Sequence, residues 1–392
     1  MLPMALTGTI RLDGVASWSR HASAARLMLR CHPVSNCVRL LDPEGAVVRE
    51  WRDPLEALHW MSADARGFEW IGYISYDAGR WFESLPISTS DNLNLPFFIF
   101  TAHEAGPPAA GRDWELISPY HDEVYSTFRR DEYEAAVRQC LEFIRAGDVF
   151  QINLSQRFCA PLKRTPAHIY EHLCLQTPAH YGALLEYEDF ALICNSPELF
   201  LRVTPDRRII TRPIKGTRPK RPGMEQELLQ STKDQAELNM IVDLERNDLG
   251  RVCEIGSVRV TEPRVIEMHP TVYHGVATIE GRLREGVTFV DLLQATFPGG
   301  SITGAPKIRA MEIIEGMERL RRGAYCGAIG HLSPDGTIEL NVAIRTMTAK
   351  GSYLYIPVGG GIVADSDPAA EYEETLVKAQ AMFAAAGIEA GT

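Results

Sequence analysis

Three groups of residues in this sequence carry enough chemistry to begin from. The first is Lys215, in RIITRPIKGTRPKRPG, with Arg212, Arg218, Lys220 and Arg221 around it. A solvated turn is the plain reading of such a lysine. The sharper reading is that cations clustered within an acidic chain mark a pocket for an anion. Neighbouring positive charge and partial burial would both lower the lysine's pKa and free its amine as a nucleophile. The second group is acidic. Glu237 lies in STKDQAELNMIVDL, and Glu371 and Glu374 are three apart at the start of the last helix, so they share a face. Carboxylates in a first helical turn often only complement the helix dipole. The alternative is a magnesium site with one carboxylate from each helix, completed by ligand oxygens and water. The third group is glycine-rich. In PGGSITGAPK (298–307), Gly299 and Gly304 have the spacing of a phosphate loop, but Ala305 stands where that loop needs lysine. What is left is a turn into a helix, where free backbone N–H groups can hold a carboxylate. PVGGGIVADSDP (357–368) has three successive glycines after a strand, plainly read as a tight turn. No helix-opening G-x-G-x-x-G accompanies it. DLERND (243–248) is rejected as a calcium loop because Asp248 occupies the glycine position.

The elements that must hold these groups alternate without the rhythm of a doubly wound parallel sheet. Residues 131–146 read as an amphipathic helix stopped by Gly147. VFQINLSQRF then alternates as a strand, and 181–213 read as short strands broken at Glu188-Asp189, Ser196-Pro197 and Pro205-Asp206. Spacing that tight favours antiparallel pairing, since parallel strands need long crossovers. A helix is expected at about 232–244. Further strands are expected at 271–281, 324–332, 337–347 and 352–358, with SPDG (333–336) as a hairpin turn. Asp367 and Pro368 are the N-cap and first position of the final helix. HEAGPPAAGRD (103–113) reads as a surface connection. Antiparallel sheets with helices outside them make an α+β fold.

Composition narrows the ligand. The 392 residues include 51 Asp and Glu against 40 Lys and Arg, a formal net charge of −11. That balance argues against nucleic acid as a partner, because such binding rests on clustered cations that displace counterions from phosphate. It leaves room for a local basic pocket that takes a small dicarboxylate. The eight cysteines contain no C-x-x-C pair, so neither a zinc motif nor a disulfide framework is expected. With no signal sequence and no run of about 20 apolar residues, no membrane association is expected, and the composition reads as a cytoplasmic, soluble protein.

Taken together, the segments resemble the chorismate-utilising enzyme family. From about Arg130 to Phe383 the order is GDVFQINLSQRF, NSPELFL, TRPIKGTR, KDQAELNMIVDLERNDLGRV, MHPTVYHGV, FPGGSITGAPKIRAMEIIE, RGAYCGAIG, IELNVAIRT and GGGIVADSDPAAEYEETLVKA. Any one of these is weak, but their ordered set is specific. The resemblance implies two large, mostly antiparallel sheets packed as a sandwich with helices outside, as in anthranilate synthase component I. Residues 1–118 would be the divergent N-terminal component I-like region, best matched in WIGYISYDAGRWFESLP. Residues 119–392 would be the chorismate-binding catalytic region, the two packing as one intertwined unit.

Residue by residue, the resemblance implies that Glu237 and Glu374 ligate Mg2+, with Glu371 nearby and acting through water. Glu198 would be the general acid and base, and His269 the active-site histidine. Thr303, Gly304, Tyr325 and Arg345 would hold chorismate, as would Gly360 and Gly361 through their backbone. Two positions bear on the reaction. Lys215 stands where the resemblance to aminodeoxychorismate synthase component I puts a nucleophilic lysine, and anthranilate synthases typically carry alanine there. Gln151 stands where isochorismate and salicylate synthases use a water-activating lysine. No clear L-L-E-S segment of the tryptophan-feedback type is found near the N-terminus. The expectation is a transferase that aminates chorismate to 4-amino-4-deoxychorismate, for 4-aminobenzoate and folate, with ammonia from a separate glutamine amidotransferase subunit. The alternatives are anthranilate synthase component I and a non-catalytic chorismate-binding protein.

Overall fold

The computed structural model describes residues 7–64, 67–109 and 114–388. The end of the expected surface connection, 110–113, lies outside them. The strand periodicity resolves into two antiparallel sheets, one of nine strands and one of twelve. Between them packs a core in which Ile10, Leu12, Leu185 and Leu192 from the first sheet meet Ile71, Tyr73, Ile99 and Ile329 from the second. Trp18 fills part of this space and donates from Nε1 to the Gly182 carbonyl at 2.8 Å. Helices cover the outer faces. Pro166–Gln176 and Pro368–Ala386 pack against the first sheet through Leu173, Met382 and Phe383. Pro54–Ala63, Thr232–Gly250 and Phe289–Thr296 pack against the second. The architecture is therefore an α+β sandwich with helices outside.

The N-terminal residues are woven into both layers. Thr7–Gly14 pairs with Tyr181–Tyr187 in the first sheet. In the second, Glu69–Ile74 lies between Phe98–His103 and Ala328–Leu332.

Most expected elements are present. The helix after Arg129 spans Arg130–Arg145, with Gly147 at φ 80° just beyond it. Gln151–Pro161 is a strand, and strands at Tyr181–Tyr187, Phe190–Ser196, Leu199–Val203 and Arg208–Arg212 are separated at the expected breaks. SPDG closes a hairpin in which Ser333 N–H donates to the Thr337 carbonyl at 2.8 Å. Asp367 caps the last helix by accepting from Ala370 N–H at 2.9 Å.

Four expectations need correction. The helix begun at Thr232 runs on past 244 to Gly250, with Glu245 and Asp248 of its last turns buried and bonded to Thr211 and Lys307. The three glycines 359–361 form no tight turn but lie inside the strand Tyr353–Ile362. The expected strand 324–332 begins only at Ala328, after a turn. The expected strand 337–347 is two strands, Ile338–Val342 and Thr346–Lys350, broken where Arg345 takes φ 49°.

That last break positions the site. Ile338–Val342 belongs to the twelve-stranded sheet and Thr346–Lys350 to the nine-stranded one, so the chain changes layers at residues 343–345. It does the same at Pro197-Glu198, between Phe190–Ser196 and Leu199–Val203. The two crossings run side by side: Val342 N–H donates to the Glu198 carbonyl at 3.0 Å, and Asn195 N–H to the Arg345 carbonyl at 3.0 Å. Glu198 and Arg345 are thereby fixed close together at the two layer crossings.

Candidate active site

Glu198 is buried, 4% exposed, and its Oε1 has no hydrogen-bond partner. Burial pushes its carboxyl up to about 7, against the opposing influence of the Ser301 hydroxyl, Lys215, the Ile214 backbone and Arg345. Ser301 Oγ is likewise buried without a partner at bonding geometry. Lys215 enters from the strand Ile214–Pro219 and is partly buried. Burial lowers its pKa, opposed by the charges of Glu237 and Glu198 and helped by that of Lys378. Glu198 and Lys215 are thus pushed in opposite directions, each toward its neutral form.

The three-glycine strand forms the floor. Gly361 pairs with Asn153 and Gly360 with Leu154 in a continuous antiparallel ladder. A Cβ on Gly361 would lie 3.2 Å from the Gln151 amide nitrogen and 3.4 Å from Lys215 Nζ. One on Gly360 would lie 3.2 Å from Glu371 Oε2, 3.7 Å from Glu374 Oε1 and 3.8 Å from Lys378 Nζ. Glycine is needed here for close approach, not for a turn. Gln151 is fully buried, yet neither its amide nitrogen nor its oxygen has a partner. An orphaned buried amide is costly, and one with both polar atoms free beside Lys215 and the glycine strand fits a group kept free for a ligand. Gly304, at φ 144°, pairs with Ile152, and a Cβ there would meet the Gln151 carbonyl at 2.1 Å.

The acidic residues stand on two helices. Glu237, on Thr232–Gly250, is mostly buried; burial raises its pKa, while Lys215 and Lys233 oppose the rise. Glu371 is buried and accepts from Ser366 Oγ at 2.6 Å; burial raises its pKa too. Glu374 is held below the usual range chiefly by Lys378, whose Nζ lies 2.7 Å away and also donates to the Gly359 carbonyl at 2.8 Å. Hard carboxylate oxygens from two helices, near enough for Glu374 to act on Glu237, beside a side-chain-free strand suit magnesium by donor chemistry. Oxygens of a ligand and of water would complete the shell of an ion held there.

The remaining predicted residues line the surroundings. Thr303 is buried, its hydroxyl donating to the Gly299 carbonyl at 3.0 Å and its carbonyl accepting from Asn153 N–H at 2.8 Å. Tyr325 is buried next to Arg322, with its phenol pKa pushed well up by burial. Arg345 is partly buried and within electrostatic reach of Glu198 and His274. His269 is buried in a group of three histidines, its ring 4.4 Å from that of His180 and 4.8 Å from that of His274.

Sequence reasoning missed several contributors. Lys378 is one helical turn beyond Glu374, a spacing that could have exposed it. Ser301 sits in the glycine-rich segment. Glu245 is buried near Glu198, its carboxyl pushed up to about 8 by burial and then by Glu198's charge, although Thr211 donates to it at 2.8 Å. Nothing local in ERND signals that burial.

The family model described as chorismate binding enzyme matches residues 118–384, more than half of the chain. The chain belongs to the chorismate-binding enzyme family. Family members named anthranilate synthase and aminodeoxychorismate synthase are about equally similar to it. Anthranilate synthase component 1 of Thermus thermophilus is 39% identical over 80% of this chain and 76% of its own length. Aminodeoxychorismate synthase component 1 of Escherichia coli is 40% identical over 79% of this chain and 74% of its own. The crystal structure of anthranilate synthase component I from Streptococcus pneumoniae superposes with a TM-score of 0.79 at 30% identity, covering 95% of this chain and 92% of that one. This member of the family is a chorismate-utilising enzyme. Among its described residues no helix is long and apolar enough to cross a membrane, and all eight cysteines are free.

Proposed function

We propose that this enzyme aminates chorismate at ring carbon 4, giving 4-amino-4-deoxychorismate and water. The observation that carries the reading is Lys215, partly buried, beside Glu198 and the Gly361 floor, with its pKa lowered while that of Glu198 is raised. Neutral Lys215 attacks ring carbon 2, the double bonds shift, and the carbon 4 hydroxyl leaves as water with the proton of Glu198. Ammonia then bonds to carbon 4, the double bonds shift back, and the bond from carbon 2 to Lys215 breaks. Glu198, now a carboxylate, takes the proton lost by the incoming ammonia. A poor leaving group needs such a positioned acid, and a raised pKa suits the task. Arg345 and the backbone of Gly360 and Gly361, with Thr303, Gly304 and Tyr325, orient the substrate, whose two carboxylates require cations and N–H donors. Glu237 and Glu374, with Glu371 acting through water, would hold magnesium, which supplies charge neutralisation for the ring carboxylate.

The relatives' designation as component 1 supports a second component, which we assign as a glutamine amidotransferase that supplies the ammonia. A separate lyase would carry the product to 4-aminobenzoate and folate, in the cytoplasm. Anthranilate formation is the competing reading, favoured by the relatives bearing that name. Retention of Glu198, Lys215, Glu237 and Glu374 together argues against a non-catalytic binder.

Intact-mass spectrometry tests the nucleophile. Incubated with chorismate and magnesium but no ammonia, the enzyme should gain the mass of chorismate less one water. Lys215→Ala should lose that adduct. An unchanged adduct in the variant would remove Lys215 from this role.

A further inference from the structure

Outside the carboxylate helices, His180, Glu267 and His269 each offer a ligand atom, and these atoms all lie within 4.8 Å of one another. Among the described residues this is the one group of three or more His, Cys, Asp or Glu gathered so closely. It is assembled from both layers. His180 immediately precedes the strand Tyr181–Tyr187 of the nine-stranded sheet, and its backbone carbonyl is fixed by Val15 N–H at 3.1 Å. Glu267 lies at the end of the strand Arg259–Met268 of the twelve-stranded sheet. His269 sits in the turn that follows, tied by its N–H to the Val272 carbonyl at 2.8 Å.

Two details distinguish this group from a chance cluster. His269 is 5% exposed, and its Nε2 has no hydrogen-bond partner; the nearest carboxylate oxygen, Glu267 Oε2, is 3.8 Å away, beyond bonding range. A buried ring nitrogen without a partner is an open ligand position. Glu267 is also oriented from behind. Arg212 pairs with its Oε1 while anchoring its own Nε on Thr278 Oγ1 at 3.1 Å, which leaves Oε2 facing the histidines. An outer partner that holds a carboxylate by one oxygen and frees the other is the usual support of a metal ligand.

We infer that His180, Glu267 and His269 form a binding site for a divalent transition metal of the zinc class, and that its occupation inhibits the enzyme. Two imidazoles and one carboxylate are a ligand set of open zinc sites, and nitrogen donors select zinc, cobalt, nickel or copper over magnesium. This site is therefore chemically orthogonal to the all-carboxylate set of Glu237, Glu371 and Glu374. Inhibition rests on the reading of His269 as an active-site residue, since a metal on Nε2 takes that nitrogen out of use. It would also fasten the two sheets together beside Arg345 and His274.

The full-length chain titrated with Co2+ alone, without substrate, tests the binding independently of any activity. Saturation near one equivalent is expected, with the visible absorption of a nitrogen-ligated tetrahedral ion, displaced by Zn2+. His180→Ala should weaken Co2+ binding by more than about tenfold while keeping basal turnover, and should relieve Zn2+ inhibition measured in excess magnesium. His180→Asn and a Zn2+-dependent rise in Tm, present in wild type and absent in both variants, guard against a folding defect. Absence of the cobalt band in wild type, or a band that survives His180→Ala but is lost in Glu374→Gln, would overturn the site. Tight binding with undiminished turnover would overturn the inhibitory role alone.

Discussion

At the scale of single residues, the central pair is Glu198 and Lys215. On the proposed mechanism Glu198, raised to about 7, is the proton donor below that pH and has lost its proton above it. The amine of Lys215 is freed as pH rises through its lowered pKa. Turnover should therefore rise and then fall with pH, the two limbs belonging to the coupled pair. Glu198→Gln should cut kcat by roughly 10²–10⁴-fold and erase the alkaline limb near neutrality; a limb that persists would assign it to another group. Lys215 and the paired glutamates were legible in the sequence by type and spacing, and Glu198 only through the family resemblance. The burial that tunes them was not, because it comes from strands distant in the chain. Lys378 shows the difference: its spacing from Glu374 was readable, but its reach to the Gly359 carbonyl depends on how the last helix docks.

At the scale of elements, strands and caps followed from periodicity and turn chemistry, and the layer changes did not. A run such as IELNVAIRTMT reads as one strand, since nothing local reports that residues 343–345 leave one sheet for the other. The glycine strand was misread for a similar reason, as only the packed neighbours reveal that a Cβ would touch Lys215 and Gln151. Gly361→Ala, in ordinary extended backbone, should fold normally, crowd the floor and lower kcat/KM by roughly tenfold or more. Wild-type kinetics in that variant would remove the strand from the site. The turn near the site depends on Arg322, which bonds Glu318 at 2.7 Å, the Ile302 carbonyl at 2.9 Å and the Asn153 carbonyl at 2.7 Å. Arg322→Met strands a buried carboxylate and should cost about 3–5 kcal/mol in urea unfolding.

At the scale of the whole molecule, the α+β class was readable from closely spaced strands and the intertwined sandwich was implied by the family resemblance, whereas which N-terminal strands enter which sheet was not legible. Because Thr7–Gly14 and Glu69–Ile74 pair inside these sheets, a fragment beginning at residue 119 would expose unpaired edges and apolar faces. It should be insoluble or fail to unfold cooperatively; a soluble fragment with a sharp transition would contradict this. Stability should also carry the mark of Glu245. Its folded pKa of about 8 lies above the ordinary 4.5, so its contribution is complete below about 4.5 and is lost as pH rises toward 8. Relative to Glu245→Gln, wild type should therefore lose on the order of 3 kcal/mol between pH 5 and pH 8.5. Urea unfolding at the two pH values checks this, and parallel behaviour of the two proteins would refute it.

The reaction itself is tested most directly by its product. The purified enzyme with chorismate, magnesium and ammonium should form no fluorescent anthranilate, and 4-aminobenzoate should appear only after aminodeoxychorismate lyase is added. Anthranilate released without the lyase would contradict amination at carbon 4 and return the enzyme to the anthranilate synthases.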